Sequence, residues 1–146
     1  MSSQLIKAAG IRIAAAASSR EEAVALCGQT LFQLGAVSEE YIPAMWERET
    51  IMSSFMGEGV AMPHGTDEAR KYVKFDQLVF LRFEKEIDWD GSPVRACIGI
   101  AAVGDNHGTI LGNLAEVLVN DEEREELFTT ESVERILELL ETTKEE

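Results

Sequence analysis

Two near-continuous apolar runs constrain this chain more than any other feature: DQLVFLRFE, residues 76–84, and PVRACIGIAAV, residues 93–103. A strand with one wet face alternates apolar and polar residues. A run with almost no polar break must be covered on both faces. The flanking segments supply helical cover. SSREEAVALCGQTLFQLG places Ala23, Val24, Cys27, Leu31 and Leu34 at helical spacing. Ser18 and Glu21 have capping-box spacing there, and Gly35 suits a left-handed stop. SEEYIPAMWERE reads as a second helix capped by Ser38, with a stripe of Tyr41, Ile42, Met45 and Trp46 and with Arg48 at its C-terminal end. NHGTILGNLAEVLVN presents Ile110, Leu111, Leu114, Val117 and Leu118 on one face. DEEREELFTT and ESVERILELLE close the chain as helices, the last with Thr130 as its expected cap. Residues 11–16 and 59–62 read as short strands, and TDEARKYV as a short helix. Strands interleaved with helices predict an α/β sandwich with helices on both sheet faces. The 146 residues show no linker-like stretch, which predicts one domain over 1–146.

Charge narrows the partners. The 27 acidic and 13 basic residues leave a formal charge of −14. That balance opposes binding to nucleic-acid phosphates or an anionic membrane surface, and suits a basic protein partner. The two cysteines, Cys27 and Cys97, lie in apolar patterns outside any CxxC pair. They read as buried, reduced thiols of a cytosolic protein. Lys7 and Arg12 interrupt the N-terminal apolar stretch, so it does not read as a signal peptide. No segment approaches the ~18 apolar residues of a membrane span.

The chain has only two histidines, His64 and His107. His64 stands in GEGVAMPHGTDEAR, between a proline that stiffens the approach and a glycine that leaves the ring uncrowded. A helix start follows, whose N–H groups would favour an anion on the ring. His107 lies at the start of the helix after the second apolar run. Sites in α/β folds gather at strand C-terminal ends, so the two histidines could share a crevice. On local chemistry alone, a presented imidazole and an incidental turn histidine both stand for His64. A capping or surface histidine stands equally for His107. No metal-ligand spacing, GxSxG or GxxxxGK[ST] motif occurs, and no cofactor is expected.

The run ETIMSSFMGEGVAMPHG, residues 49–65, resembles the phosphorylation-site signature of type-2 enzyme IIA domains of the bacterial sugar phosphotransferase system, the mannitol/fructose class. Its specified positions are filled by Glu49, Met56-Gly57 and Val60-Ala61-Met62-Pro63-His64-Gly65. SREEAVALCGQTLFQLGAVSEEYIPAMWERE resembles the family's opening helix pair, and IGIAAVGDNHGTILGNLAEVL its buried strand and following helix. Mannitol-type members look closest.

The resemblance implies a mixed central sheet flanked by helices on both faces. It also implies a phosphoryl relay. A histidine phosphocarrier protein would donate to the Nε2 (tele) nitrogen of His64, and a IIB cysteine would accept. Arg48 and His107 would be the other active-site residues, with no metal, no membrane insertion and a monomer expected. A nitrogen-type regulatory module that docks proteins according to its phosphorylation is the alternative. Asp67, Glu68 and Asp105 could steer the donor, and Met56 or Met62 could form an apolar docking patch. Gly108 and Gly112 depart from helix-forming preference, which suggests close packing or a mobile helix start.

Overall fold

The computed structural model describes residues 5–103 and 106–141, the side chains of residues 106, 107 and 141 excepted. In chain order the elements are β1 (Ile6–Ala15), α1 (Arg20–Gln33), α2 (Tyr41–Ile51), β2 (Phe55–Gly57), β3 (Val60–Ala61), a 3-10 turn (Glu68–Tyr72), β4 (Gln77–Trp89), β5 (Ser92–Ala101), α3 (Asn106–Val119), α4 (Asp121–Thr129) and α5 (Val133–Glu141). The sheet order is β1-β4-β5-β3-β2.

The two apolar runs become β4 and β5 at the centre of the sheet, as their composition requires. They pair with each other antiparallel, and each has a parallel neighbour on its other side, β1 beside β4 and β3 beside β5. The sheet is therefore mixed. Alternate residues feed two cores. Leu78, Phe80, Ile98 and Ile100 face α3, α4 and α5, with Leu114, Leu127 and Ile136 among their partners. Val79, Leu81, Cys97 and Ala101 face α1 and α2, with Val24, Leu31 and Met45. Cys27 and Cys97 are both buried and free. Burial, followed by the neighbouring Cys27 thiol, pushes the Cys97 pKa up, so it stays a thiol.

Several local expectations shift. β1 begins at Ile6 rather than residue 11, because irregular register breaks its alternation between Ile6 and Ile11 and again between Arg12 and Ala15. The cap of α1 is Ser19, which accepts from the Glu22 N–H at 3.1 Å, not Ser18. SSREE contains both capping frames, so spacing does not choose between them. Gly35 stops α1 as expected, at φ 83°. Its N–H donates to Phe32 while the Ala36 N–H reaches Leu31, the paired bonds of a Schellman ending. α2 starts at Tyr41, preceded by Glu40 without a side-chain cap. Ser132, not Thr130, caps the last helix, accepting from the Arg135 N–H at 3.1 Å.

β2 has no counterpart in the sequence reading. It forms a tight hairpin with β3 through Glu58 and Gly59, both at positive φ, 55° and 83°. At Gly108 and Gly112 an added Cβ would meet nothing within 4 Å among the described residues, so close packing against them does not explain these glycines. Among the described residues, no helix is long and apolar enough to cross a membrane.

Candidate active site

His64 owes its position to the short parallel pairing of β3 with β5. Val60 pairs with Ala96 and Ala61 with Cys97. Beyond them the Ile100 N–H donates to the Pro63 carbonyl at 3.0 Å, and His64 continues the ladder as a bridge to Ile100. Pro63 offers no N–H of its own, so the strand ends here. On the other side the Met62 N–H donates to the Ser54 carbonyl at 3.0 Å.

His64 is only 8% exposed. Its Nδ1 lies 2.9 Å from the Met62 carbonyl oxygen. A carbonyl can only accept, so Nδ1 carries the proton and Nε2 holds the lone pair of the neutral ring. Burial is the main influence pulling the His64 pKa below its ordinary value, and the Arg48 and Arg70 cations add to it. The Met62 carbonyl and the Glu49 carboxylate pull the other way. The net shift is downward, so the ring is neutral at pH 7.

Arg48 occupies the last turn of α2, where a cation also suits the helix dipole. Its Nη1 donates to the Met52 carbonyl at 2.6 Å, which anchors the guanidinium at the helix end. Arg70 comes from the 3-10 turn and pairs with Asp67 at 3.2 Å. The structure therefore brings Arg48 and His64 together electrostatically and adds Arg70. His107 falls in the first turn of α3, directly after the strand that carries the His64 bridge. Its side chain, like Asp105, lies outside the described residues.

Tyr41 sits under the loop and is 3% exposed. Its hydroxyl accepts the Gly65 N–H at 2.8 Å and donates to the Ile100 carbonyl at 3.0 Å. The first N–H after His64 is thus spent inside the protein rather than offered to an anion. The segment after it is a five-residue 3-10 turn in which the Ala69 N–H already meets Thr66. Glu49, also buried, accepts from the Trp89 indole at 2.9 Å and from the Ser54 N–H and hydroxyl at 3.0 and 2.6 Å.

Beside the loop a groove of about 240 Å³ runs between α2 and the 3-10 turn, lined by Glu40, Glu47, Glu68 and Lys71 among others. Glu68 stands on its acidic rim, and Asp67 pairs with Arg70 while its side chain stays exposed. Of the two methionines expected at a docking patch, Met56 is 48% exposed and Met62 is buried. Ile51 and Met52, just past Arg48, are exposed instead. No group of three or more potential metal ligands occurs among the described residues. Sequence reasoning placed Tyr41 in a core stripe and gave no role to Arg70 or Ser54. Tyr41 is not marked locally because its partners, Gly65 and Ile100, lie 24 and 59 positions away. Ser54 and Arg70 have near partners in Glu49, Met62 and Asp67, but only the folded loop turns them toward His64.

The model of the family "Phosphoenolpyruvate-dependent sugar phosphotransferase system, EIIA 2" matches residues 4–143. The chain is 38% identical over 140 residues to the mannitol-specific phosphotransferase enzyme IIA component of Halalkalibacterium halodurans, covering 96% of this chain and 97% of that protein. Its fold matches Escherichia coli enzyme IIAMTL, solved in complex with phosphorylated enzyme IIBMTL, with a TM-score of 0.86 at 34% identity, covering 93% of this chain and 98% of that one. The crystal structure of IIA mannitol from Escherichia coli gives 0.84 at 34% identity, covering 92% and 97%. With this fold, this signature and these likenesses, the chain belongs to the EIIA type-2 family of the phosphoenolpyruvate-dependent sugar phosphotransferase system and is a phosphotransferase that carries phosphoryl groups between proteins.

Proposed function

We propose that His64 is the phosphoryl acceptor and that Nε2 is the reacting nitrogen. The observation that carries this reading is the Nδ1 contact to the Met62 carbonyl at 2.9 Å, which puts the ring proton on Nδ1 and the nucleophilic lone pair on Nε2. Nε2 attacks the phosphorus of the phosphohistidine on a histidine phosphocarrier protein. A bond from Nε2 to phosphorus forms as the donor's N–P bond breaks, and the lone pair returns to the donor ring. The proton stays on Nδ1, which donates it to the Met62 carbonyl throughout. In the second half-reaction a IIB cysteine thiolate attacks the same phosphorus and restores the Nε2 lone pair.

Arg48 presents a cation to the equatorial oxygens as charge gathers there, with His107 as a second donor. The chemistry is positioning and electrostatics, and no cofactor is invoked. Acceptance by IIB draws on the Escherichia coli complex, and a mannitol-like sugar on the relatives' names. The protein works in the cytoplasm on this reading. The likeness to mannitol components at 34–38% identity favours uptake over a nitrogen-type regulatory role.

Incubation with enzyme I, the histidine carrier and phosphoenolpyruvate should add one acid-labile phosphoryl group by intact mass. His64→Ala should add none. A phosphoryl group retained in His64→Ala overturns the assignment. Onward transfer to a mannitol-type IIB separates transport from regulation.

A further inference from the structure

Glu49 is a carboxylate sealed in the interior, 3% exposed, and no cation is bonded to it among the described contacts. What surrounds it is a set of donors. The Trp89 indole and the Ser54 N–H share Oε2, at 2.9 and 3.0 Å, and the Ser54 hydroxyl takes Oε1 at 2.6 Å. A buried carboxylate is costly unless its oxygens are so satisfied. Its bonds reach from the C-terminal half of α2 to the loop before β2 and to the far end of β4.

Ser54 is the pivot. Its N–H and hydroxyl go to Glu49, while its carbonyl receives the Met62 N–H at 3.0 Å. Met62 in turn holds Nδ1 of His64 with its own carbonyl at 2.9 Å. The acceptor that selects the His64 tautomer therefore belongs to a residue moored through Ser54 to Glu49. On the opposite side Met62 is packed in the core and 1% exposed, so the side chain resists rotation about the strand.

We propose that Glu49 is a positioning residue for His64, acting through Ser54 and Met62 to keep the Met62 carbonyl on Nδ1 and the lone pair on Nε2. This rests on the reading of His64 as the phosphoryl carrier. It explains why a buried carboxylate stands fifteen positions before the histidine, with no contact to the transferred group required of it. Loss of the carboxylate frees the Ser54 loop, and the ring then samples both tautomers. Glutamine preserves the frame. Its carbonyl oxygen keeps the indole and the Ser54 N–H, and its amide donates to a rotated Ser54 hydroxyl.

The test reads imidazole nitrogens by long-range ¹H–¹⁵N correlation in the unphosphorylated protein, alongside kcat and KM for phosphorylation by the histidine carrier. In Glu49→Ala, kcat falls at least tenfold with KM for the carrier within threefold, and the His64 nitrogens move toward a tautomer mixture. Glu49→Gln recovers the parent nitrogen pattern and most of kcat. A folded Glu49→Ala with parent nitrogens overturns the proposal whatever its rate, and so does a Glu49→Gln that recovers neither. If Glu49→Ala does not fold, Ser54→Ala decides. Shifted nitrogens with kcat lowered at least threefold support the relay, and any other outcome overturns it. The nitrogen spectra need no donor, so they stand apart from the His64→Ala mass experiment that tests the carrier assignment.

Discussion

The Tyr41 ring occupies the space that a side chain at Gly65 would need. A Cβ built on Gly65 would lie 2.6 Å from Tyr41 Cε1 and 2.9 Å from Cζ. The same tyrosine holds the Gly65 N–H on its hydroxyl at 2.8 Å. One residue of α2 thereby fixes both the path and the identity of the residue after His64. Burial pushes the Tyr41 pKa up to about 12, so the phenol remains protonated and can donate to Ile100 throughout the physiological range.

Gly65→Ala therefore costs about 1–3 kcal/mol through overpacking. Tyr41→Phe leaves a buried N–H and a buried carbonyl unpaired, at about 1–3 kcal/mol. Tyr41→Leu makes room for a methyl group, so the double variant Tyr41→Leu/Gly65→Ala loses less than the sum of its parts. Chemical denaturation of the four proteins closes the cycle. Strict additivity would mean that the ring and the methyl do not meet.

The pH behaviour follows from the direction of the His64 shift. Its pKa in the folded chain lies below the ordinary 6.5, with burial as the main cause. As pH falls through 6.5 the unfolded chain takes the proton first, so stability declines until the folded pKa is passed and then levels off. His64→Gln removes that slope, which denaturation midpoints between pH 7.5 and 5 will show. The neutral ring is the nucleophile, so the acid limb of the phosphorylation rate lies below pH 6.5. An acid limb above that value would contradict the burial argument.

Arg48 lowers the His64 pKa by its charge and sits where its guanidinium is held by Met52. Arg48→Ala should slow single-turnover phosphorylation by about 10²-fold. It should also raise the His64 pKa in an NMR titration. Arg48→Lys keeps the charge and loses the planar fork, so the pKa stays near the parent while the rate recovers only in part. Parent rates in Arg48→Ala would remove it from the site.

Gly108 and Gly112 lie on the exposed side of α3, with nothing among the described residues within 4 Å of an added Cβ. Neither has a positive φ. Each Gly→Ala change should therefore stabilise the isolated protein by about 0.5–1 kcal/mol. Thermal melts give the sign. A melting temperature unchanged or lowered would mean that the helix start is not formed in solution.

The two apolar runs were enough to predict helices on both faces of a sheet, because only double coverage tolerates strands without polar breaks. The spacing from Glu49 to Gly65 was enough to single out His64 as a resemblance, and Arg48 with it. Pairing direction was not legible, since β4 and β5 are apolar enough for either sense. The Asp90-Gly91 turn, both residues at positive φ, closes them antiparallel. The β2–β3 hairpin escaped notice because three residues carry no periodicity. What only the tertiary structure decided is the state of the imidazole. The Met62 carbonyl is two residues from His64, but its aim depends on Ser54, Glu49 and Trp89, and the loop's path on Tyr41 and Ile100. Local sequence specifies which groups are available, whereas a tautomer and a pKa depend on which of them burial brings within 3 Å, and those partners come from α2, β4, β5 and the loops flanking the β2–β3 hairpin.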